Sequence, residues 1–187
     1  MKLSARNLTH GLKLKTQKGR QTLSLSKGFT LIELLIVVAI ISALAVSVFV
    51  ALNPSARIIA ANDARRSADA DSVLSAIHAS IVDNNGNLPS NLPAAGQERQ
   101  IGSGDATACT TALVSGGCNT PAATACANLL IGGQNLAAYL KSLPIDPLGG
   151  TTYTSVKTGY SVTQDANGIV TVKACGAQGA NDISVSR

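Results

Sequence analysis

One continuous apolar stretch dominates the pattern of hydrophobic and polar positions along the chain. Residues 29–52 (FTLIELLIVVAIISALAVSVFVAL) contain a single charged residue, Glu33, and no other window is comparably apolar. A helix of this length would be about 36 Å long, enough to cross a hydrocarbon core of about 30 Å. The sequence therefore predicts that residues 29–52 form a membrane-spanning helix.

After this stretch the pattern becomes that of an amphipathic helix. Asn53-Pro54 interrupts the apolar run, and helical spacing resumes from Ser55 to Val82. A proline here either kinks one long helix or opens a second. The segment Asn84-Asn85-Gly86-Asn87 predicts the helix end. The expected apolar stripe is Val73, Leu74, Ile77 and Ile81, and the charged residues on the other faces are Asp63, Arg65, Arg66, Asp69 and Asp71.

The pattern of residues 84–187 indicates loops followed by a small sheet. Residues 84–126 are rich in Pro, Gly, Ser and Asn, and Asn135–Ser142 has the spacing of a short helix ended by Pro144. Asn167-Gly168 lies between two alternating apolar runs and predicts a hairpin turn. The predicted strands are Thr151–Val156, Gly159–Thr163, Ile169–Ala174 and Asp182–Ser186. The expected fold class is α+β, with a long N-terminal helix packed on a small C-terminal antiparallel sheet.

Charge is distributed unevenly between the two ends of the chain. Residues 1–28 carry seven of the 15 basic residues and no acid, which leaves eight basic and ten acidic residues and a charge of −2 elsewhere. The positive-inside rule places residues 1–28 in the cytoplasm and the chain after the helix outside it. The expected domains are a basic leader (1–28), a membrane-spanning helix (29–52), its amphipathic continuation (53–83) and an extracytoplasmic domain of loop and sheet (84–187).

The four cysteines indicate disulfides rather than a metal site. None forms a Cys-x-x-Cys pair, and no histidine lies near them. An even number of cysteines in a Gly/Ser/Thr-rich region is typical of an oxidising compartment. The residues are Cys109, Cys118, Cys126 and Cys175. Three pairings are open, and our working hypothesis is Cys109–Cys118 with Cys126–Cys175.

The start of the apolar stretch carries a specific motif. KGFTLIEL at residues 27–34, followed by LIVVAIISALAV, resembles the class III signal of type IV pilins and type II secretion pseudopilins. The resemblance implies that a membrane prepilin peptidase cuts between Gly28 and Phe29, removing the leader, and that Phe29 is then N-methylated. It also implies that Glu33 assists filament assembly. An acid in an apolar segment is costly, and pairing with the Phe29 amine of a neighbouring subunit would satisfy both charges.

The rest of the chain is similar to the same family more loosely. Leu143–Gly149 (LPIDPLG) resembles the Pro-Asp-Pro-x-Gly segment of major pseudopilins, although the leader is long and Pro54 falls later than is usual. The resemblance implies a pilin-like structural subunit and not an enzyme. Its partners would be copies of itself and related pilins, together with an inner-membrane assembly platform. The filament would lie in the periplasm or at the cell surface, and the choice between pilus and secretion system stays open.

Other readings of the chain are weaker. Ala43-Leu44-Ala45 would suit an ordinary secretory signal, but 28 residues precede the apolar core and Glu33 lies inside it. A signal-anchored exported enzyme or binding protein is the alternative from another class, and a competence-type DNA-uptake pilin is the alternative within the family. Nucleic-acid binding through Arg65-Arg66 is disfavoured because neighbouring acids cancel the charge, so we expect a solvated helix face there. His78 has no ligand or catalytic partner at a suitable spacing and is expected at the surface or in a groove.

We expect no cofactor. Asp165 and Asn167 are the one candidate pair for calcium, because major pseudopilins bind calcium in their C-terminal loops. Asp and Asn are also ordinary turn-forming residues, and we favour that interpretation.

Overall fold

The computed structural model describes residues 28–104, 108–122, 126–150, 152–179 and 182–187, so the predicted leader lies outside the described residues except for Gly28. Helix α1 spans Leu31–Leu52 and helix α2 spans Pro54–Asp83. Asn53 separates them with a left-handed backbone (φ 41°, ψ 70°), and Pro54 opens α2, where its missing N–H would have no helical partner anyway. The chain divides into two compact units, with the boundary between Val48 and Phe49.

Helix α2 is amphipathic and ends as its sequence predicts. In its apolar stripe Val73, Leu74 and Ile77 are buried and Ile81 is partly buried. The chain leaves the helix at Asn85, which has a positive φ of 56°. The Gly86 N–H donates to the carbonyl of Ile81 at 2.8 Å and the Asn85 N–H donates to the carbonyl of Val82 at 3.4 Å. These two bonds form a Schellman motif, which satisfies carbonyls left open at the helix end.

A four-stranded antiparallel sheet packs against α2. The strands are β1 (Glu98–Gln100), β4 (Tyr160–Gln164), β5 (Val170–Ala174) and β6 (Ile183–Ser186), in the order β1-β4-β5-β6. Strands β2 (Leu113–Ser115) and β3 (Cys118–Thr120) form a separate hairpin. The face of the sheet toward α2 is fully buried, and it carries Tyr160, Val162, Val170, Val172 and Ala174. The predicted α+β class is therefore confirmed.

Two predicted elements are wrong. Residues 152–156 form turns instead of a strand, because the Thr154 N–H bonds back to the carbonyl of Lys157 at 2.9 Å. Residues 135–142 form turns rather than a helix, with one helix-like bond from the Leu140 N–H to the carbonyl of Leu136. In both segments apolar side chains lie in the interior. The spacing of apolar residues that suggested a helix or strand therefore reflects burial of irregular segments.

The segment predicted as loop, residues 84–126, contains three short strands. Strands β1, β2 and β3 have three residues each, too few for alternation to be visible in the sequence. Gly116 and Gly117 connect β2 to β3 with φ of 55° and 76°. Two successive positive φ angles are what a tight two-residue hairpin requires, and glycine adopts them without steric cost.

Candidate processing and assembly site

A capping box starts helix α1. Thr30 precedes the first helical residue, and its N–H and Oγ1 both donate to Glu33 Oε2, at 2.9 and 2.8 Å. The Glu33 N–H in turn lies 3.3 Å from Thr30 Oγ1. This reciprocal pattern satisfies donors that the first turn of a helix leaves unpaired. Glu33 is thus held within its own chain at the start of the helix.

The predicted cleavage position lies just outside the helix. Gly28, Phe29 and Thr30 have no regular secondary structure, and all three are exposed. The Phe29 side chain is 83% exposed. A peptide bond outside a helix has no helical hydrogen bonds to break before a peptidase binds it in extended form. The Gly28–Phe29 bond is therefore accessible, and Glu33 lies about one helical turn beyond it.

Helix α1 is apolar all around, and none of its 22 residues is buried. Its two serines bond within the helix, Ser42 Oγ to the carbonyl of Val38 at 2.7 Å and Ser47 Oγ to the carbonyl of Leu44 at 2.8 Å. Those hydroxyls therefore need no water. By length and composition this is one helix that could cross a membrane, since 22 residues extend about 33 Å.

A family model for the prokaryotic N-terminal methylation motif matches residues 23–49. The chain carries the class III prepilin signal of the type IV pilin and pseudopilin family. Residues Gly28, Phe29 and Glu33 all lie within this signal, which also includes most of the apolar helix α1, and such a helix fits membrane anchoring. Neither the curated proteins nor the solved structures include a significant match to the chain.

The signal includes one contact, between Thr30 and Glu33, that the sequence analysis did not predict. Thr30 is the capping partner of Glu33, and the sequence does contain the signal for it, because Thr-x-x-Glu before an apolar run is a capping box pattern. The individual roles of Gly28, Phe29 and Glu33 in cleavage, methylation and assembly stay predictions.

All four cysteines form disulfides, but the hypothesised pairing is wrong. The bonds are Cys109–Cys126 and Cys118–Cys175, each with Cα atoms 5.3 Å apart. Loop length favoured joining Cys109 to Cys118, whereas tertiary structure separates them. Cys118 opens β3 with its side chain buried, next to Ser161 of β4, and there it meets Cys175, the residue that follows β5. A parallel bridge between Ile101 and Ala127 holds the segment next to Cys126.

The predicted calcium pair lies in the β4–β5 turn. Asp165 Oδ1 accepts hydrogen bonds from the N–H groups of Asn167 and Ile169, both at 2.8 Å. The backbone bond from Ile169 and those from the other turn residues lower the pKa of Asp165. This is the chemistry of a turn-forming aspartate. No group of three or more His, Cys, Asp or Glu side chains lies together in the described parts of the chain, and calcium binding stays an untested prediction.

The expectation of a solvated face at Arg65-Arg66 is correct for Arg65 and wrong for Arg66. The Arg65 side chain is 62% exposed and lies 3.7 Å from Asp69. The Arg66 side chain is fully buried and forms a two-bond pair with Asp146, which is also fully buried, at 2.7 and 2.8 Å. Sequence reasoning missed this pair because its partners are 80 residues apart.

Hydrogen bonds and burial shift the pKa of two groups around this pair. Burial alone would raise the pKa of Asp63, but the hydrogen bonds from Arg66 and from the N–H groups of Gln178 and Gly179 outweigh it, so that the pKa is lowered. Burial raises the pKa of Tyr160, and the bond from its hydroxyl to Asp69 adds to the effect.

Proposed function

We propose that this chain is the precursor of a filament subunit of the type IV pilin or pseudopilin kind. The precursor is cut between Gly28 and Phe29, and Phe29 is methylated on its new amine. The mature chain crosses the cytoplasmic membrane once, through α1, with its sheet domain outside. It then assembles with copies of itself and related pilins, in contact with an inner-membrane platform, into a filament in the periplasm or at the cell surface.

The observation that carries this proposal is the methylation motif at the start of a helix with no buried residue. A helix with apolar side chains on every face and no buried residue against the described parts of the chain needs lipid or other helices around it. Because the cut lies before the helix, the mature protein keeps α1. Lipid then surrounds α1 before assembly, and neighbouring subunits surround it afterwards.

Glu33 is the residue for which pairing matters most. Within the proposed filament its carboxylate meets the Phe29 amine of an adjacent subunit, so that two charges in a low-dielectric helix bundle offset each other. In the single chain one carboxylate oxygen, Oε2, accepts two bonds from Thr30. The second oxygen is the one we assign to the neighbouring amine.

Mass spectrometry of the mature protein tests the processing step. We expect an N-terminal Phe29 carrying one methyl group. A matched control is Ala45→Leu, which destroys the small-x-small site of an ordinary secretory signal but keeps α1 apolar, and it should leave processing unchanged. A mature chain beginning at Val46 would contradict the proposal and favour a secreted protein without a filament helix.

A further inference from the structure

The two halves of α2 are attached to the rest of their unit by different chemistry. In the C-terminal half the buried side chains are apolar apart from Ser80, and Val73, Leu74 and Ile77 lie in the core beneath the sheet. In the N-terminal half, Pro54–Asp69, which the structure describes completely, the one buried side chain is Arg66. Apart from the partly buried Ile59, no large apolar side chain of the N-terminal half is removed from solvent.

Charged side chains of α2 form the hydrogen bonds between this N-terminal half and the sheet domain. Arg66 Nε and Nη2 donate to the two carboxylate oxygens of Asp146. Asp63 accepts from the N–H of Gly179 at 2.9 Å, and Asp69 accepts from the Tyr160 hydroxyl at 2.9 Å. Arg66 Nη1 also donates to Asp63 at 2.7 Å, which joins the contacts of Arg66 and Asp63 into one network.

Asp146 is held in place by groups other than Arg66. Its N–H donates to the carbonyl of Thr158 at 2.9 Å, and its Oδ1 accepts from the Leu148 N–H at 2.9 Å. A Cβ at Gly176 would overlap the Asp146 carboxylate, so only glycine leaves room for it. The Asp146 carboxylate is thus fixed by a bond within its own turn and by a backbone bond to Thr158. Its two-bond geometry suits an arginine rather than a lysine.

We propose that Arg66, Asp63 and Asp146 form a clamp that holds the N-terminal half of α2 on the sheet domain as a segment that releases separately from the C-terminal half. Arg66 is its positioning residue. Removing Arg66 leaves a buried carboxylate unpaired, and a released helix of about 16 residues is only marginally stable in water. Insofar as the proposed filament function holds, the clamp also fixes each sheet domain to the helix that carries it.

Hydrogen exchange of the purified full chain in detergent micelles tests the clamp. We expect Arg66→Met to speed exchange of the amides in residues 57–69 by about 100-fold, while the amides in residues 73–81 change by less than about threefold. Arg65→Met is the matched control, because Arg65 is next in sequence but exposed, and it should leave both halves near the wild type.

A second variant keeps the test decisive if the first one unfolds. Arg66→Met combined with Asp146→Asn removes both charges but keeps an acceptor for Leu148, so the core should fold. Faster exchange confined to residues 57–69 supports the clamp. Equal acceleration of both halves, or of neither, overturns it.

The hydrogen-exchange experiment tests the clamp, and an assay of filament formation tests the proposed function. Either proposal can therefore fail without the other. If the wild-type chain forms no filaments, the proposed function is wrong and the clamp stands on its exchange data. If the wild type does form filaments but exchange in the double variant is uniform along α2, only the clamp is wrong. If both hold, the double variant should form at least about tenfold fewer filaments while its processing after Gly28 is unchanged.

Discussion

Helices α1 and α2 follow one another in the chain but differ in how many of their residues are buried. Helix α1 has 22 residues and buries none of them, whereas α2 has 30 residues and buries seven. The residues that α2 packs against are in its own unit, whereas the partners that we propose for α1 are lipid and other chains. Substitutions in α1 should therefore alter assembly without altering the stability of the sheet domain, and substitutions on the inner face of α2 should do the reverse.

The largest effect we expect is on the α1 side. Glu33→Val should leave membrane insertion unimpaired, because it replaces a charge with an apolar group. Cleavage after Gly28 should largely survive, whereas each Phe29 amine would enter the bundle unpaired and filaments should fall by about 100-fold. The measurements are filament yield and the amount of processed monomer in the membrane.

A matched control for Glu33→Val is Ser42→Ala, which removes a hydroxyl instead of a carboxylate from α1. The Ser42 hydroxyl already bonds to its own helix, so filament yield should be unchanged. Filaments at the wild-type rate in Glu33→Val cells with normal subunit levels would show that Glu33 is only a tolerated charge.

The next largest effect that we expect concerns the disulfides, which lie in the same unit as α2. Loop-entropy estimates give about 4 kcal/mol for Cys118–Cys175, which are 57 residues apart, and about 3 kcal/mol for Cys109–Cys126, which are 17 apart. We expect the paired alanine variants to lower the free energy of unfolding in that order. Urea unfolding of the full chain in micelles, followed by tyrosine fluorescence, measures it, and non-reducing peptide maps that join Cys109 to Cys118 would contradict the structure.

Alanine substitution of one isoleucine in each helix tests the difference in burial between α1 and α2. Ile77 in α2 is fully buried, whereas Ile40 in α1 is 55% exposed. Ile77→Ala should lower the free energy of unfolding of the sheet domain by about 3 kcal/mol, through lost burial and the cavity left behind. Ile40→Ala should leave that free energy unchanged within error in the same urea experiment. Equal destabilisation by the two variants would mean that the stability of the sheet domain depends on α1 as much as on α2.

The smallest effect is a dependence on pH at the N-terminal half of α2. Because hydrogen bonds lower the pKa of Asp63 below its ordinary value of 3.8, its contribution to stability is present above that value and is lost as the pH falls through the folded-state pKa. Asp63→Asn should therefore reduce stability by about 1 kcal/mol at pH 7 and by less at a pH of about 2. Asp71→Asn, at an exposed position, should show no such difference, and an equal loss at both pH values would exclude the Asp63 charge as the cause.

The long elements of this fold could be predicted from the sequence because their causes are local. The helix over Ser55–Val82 is observed as Pro54–Asp83, and the strands predicted at Gly159–Thr163 and Ile169–Ala174 are observed as Tyr160–Gln164 and Val170–Ala174. Helical spacing, a proline and an Asn-Gly turn act within a few residues of one another. Their effect does not depend on the rest of the fold.

What could not be predicted depends on contacts between distant residues. The buried pair of Arg66 and Asp146 looks from the sequence like one more charge on a polar face. The disulfide pairing follows from which strands lie side by side, and loop length alone gave the wrong partners. One local signal was overlooked, since Gly116-Gly117 is a recognised hairpin sequence that marks β2 and β3.

The Cys118–Cys175 bond imposes an order on the biogenesis of the protein. Cys118 cannot form this bond until the 57 residues up to Cys175 have followed it, and strands β4 and β5 both lie within that interval. Disulfides form in oxidising compartments outside the cytoplasm. In the topology that we propose, this bond can therefore close the sheet domain only after most of the domain has crossed the membrane. The precursor would then cross as an open chain and become covalently closed on the far side.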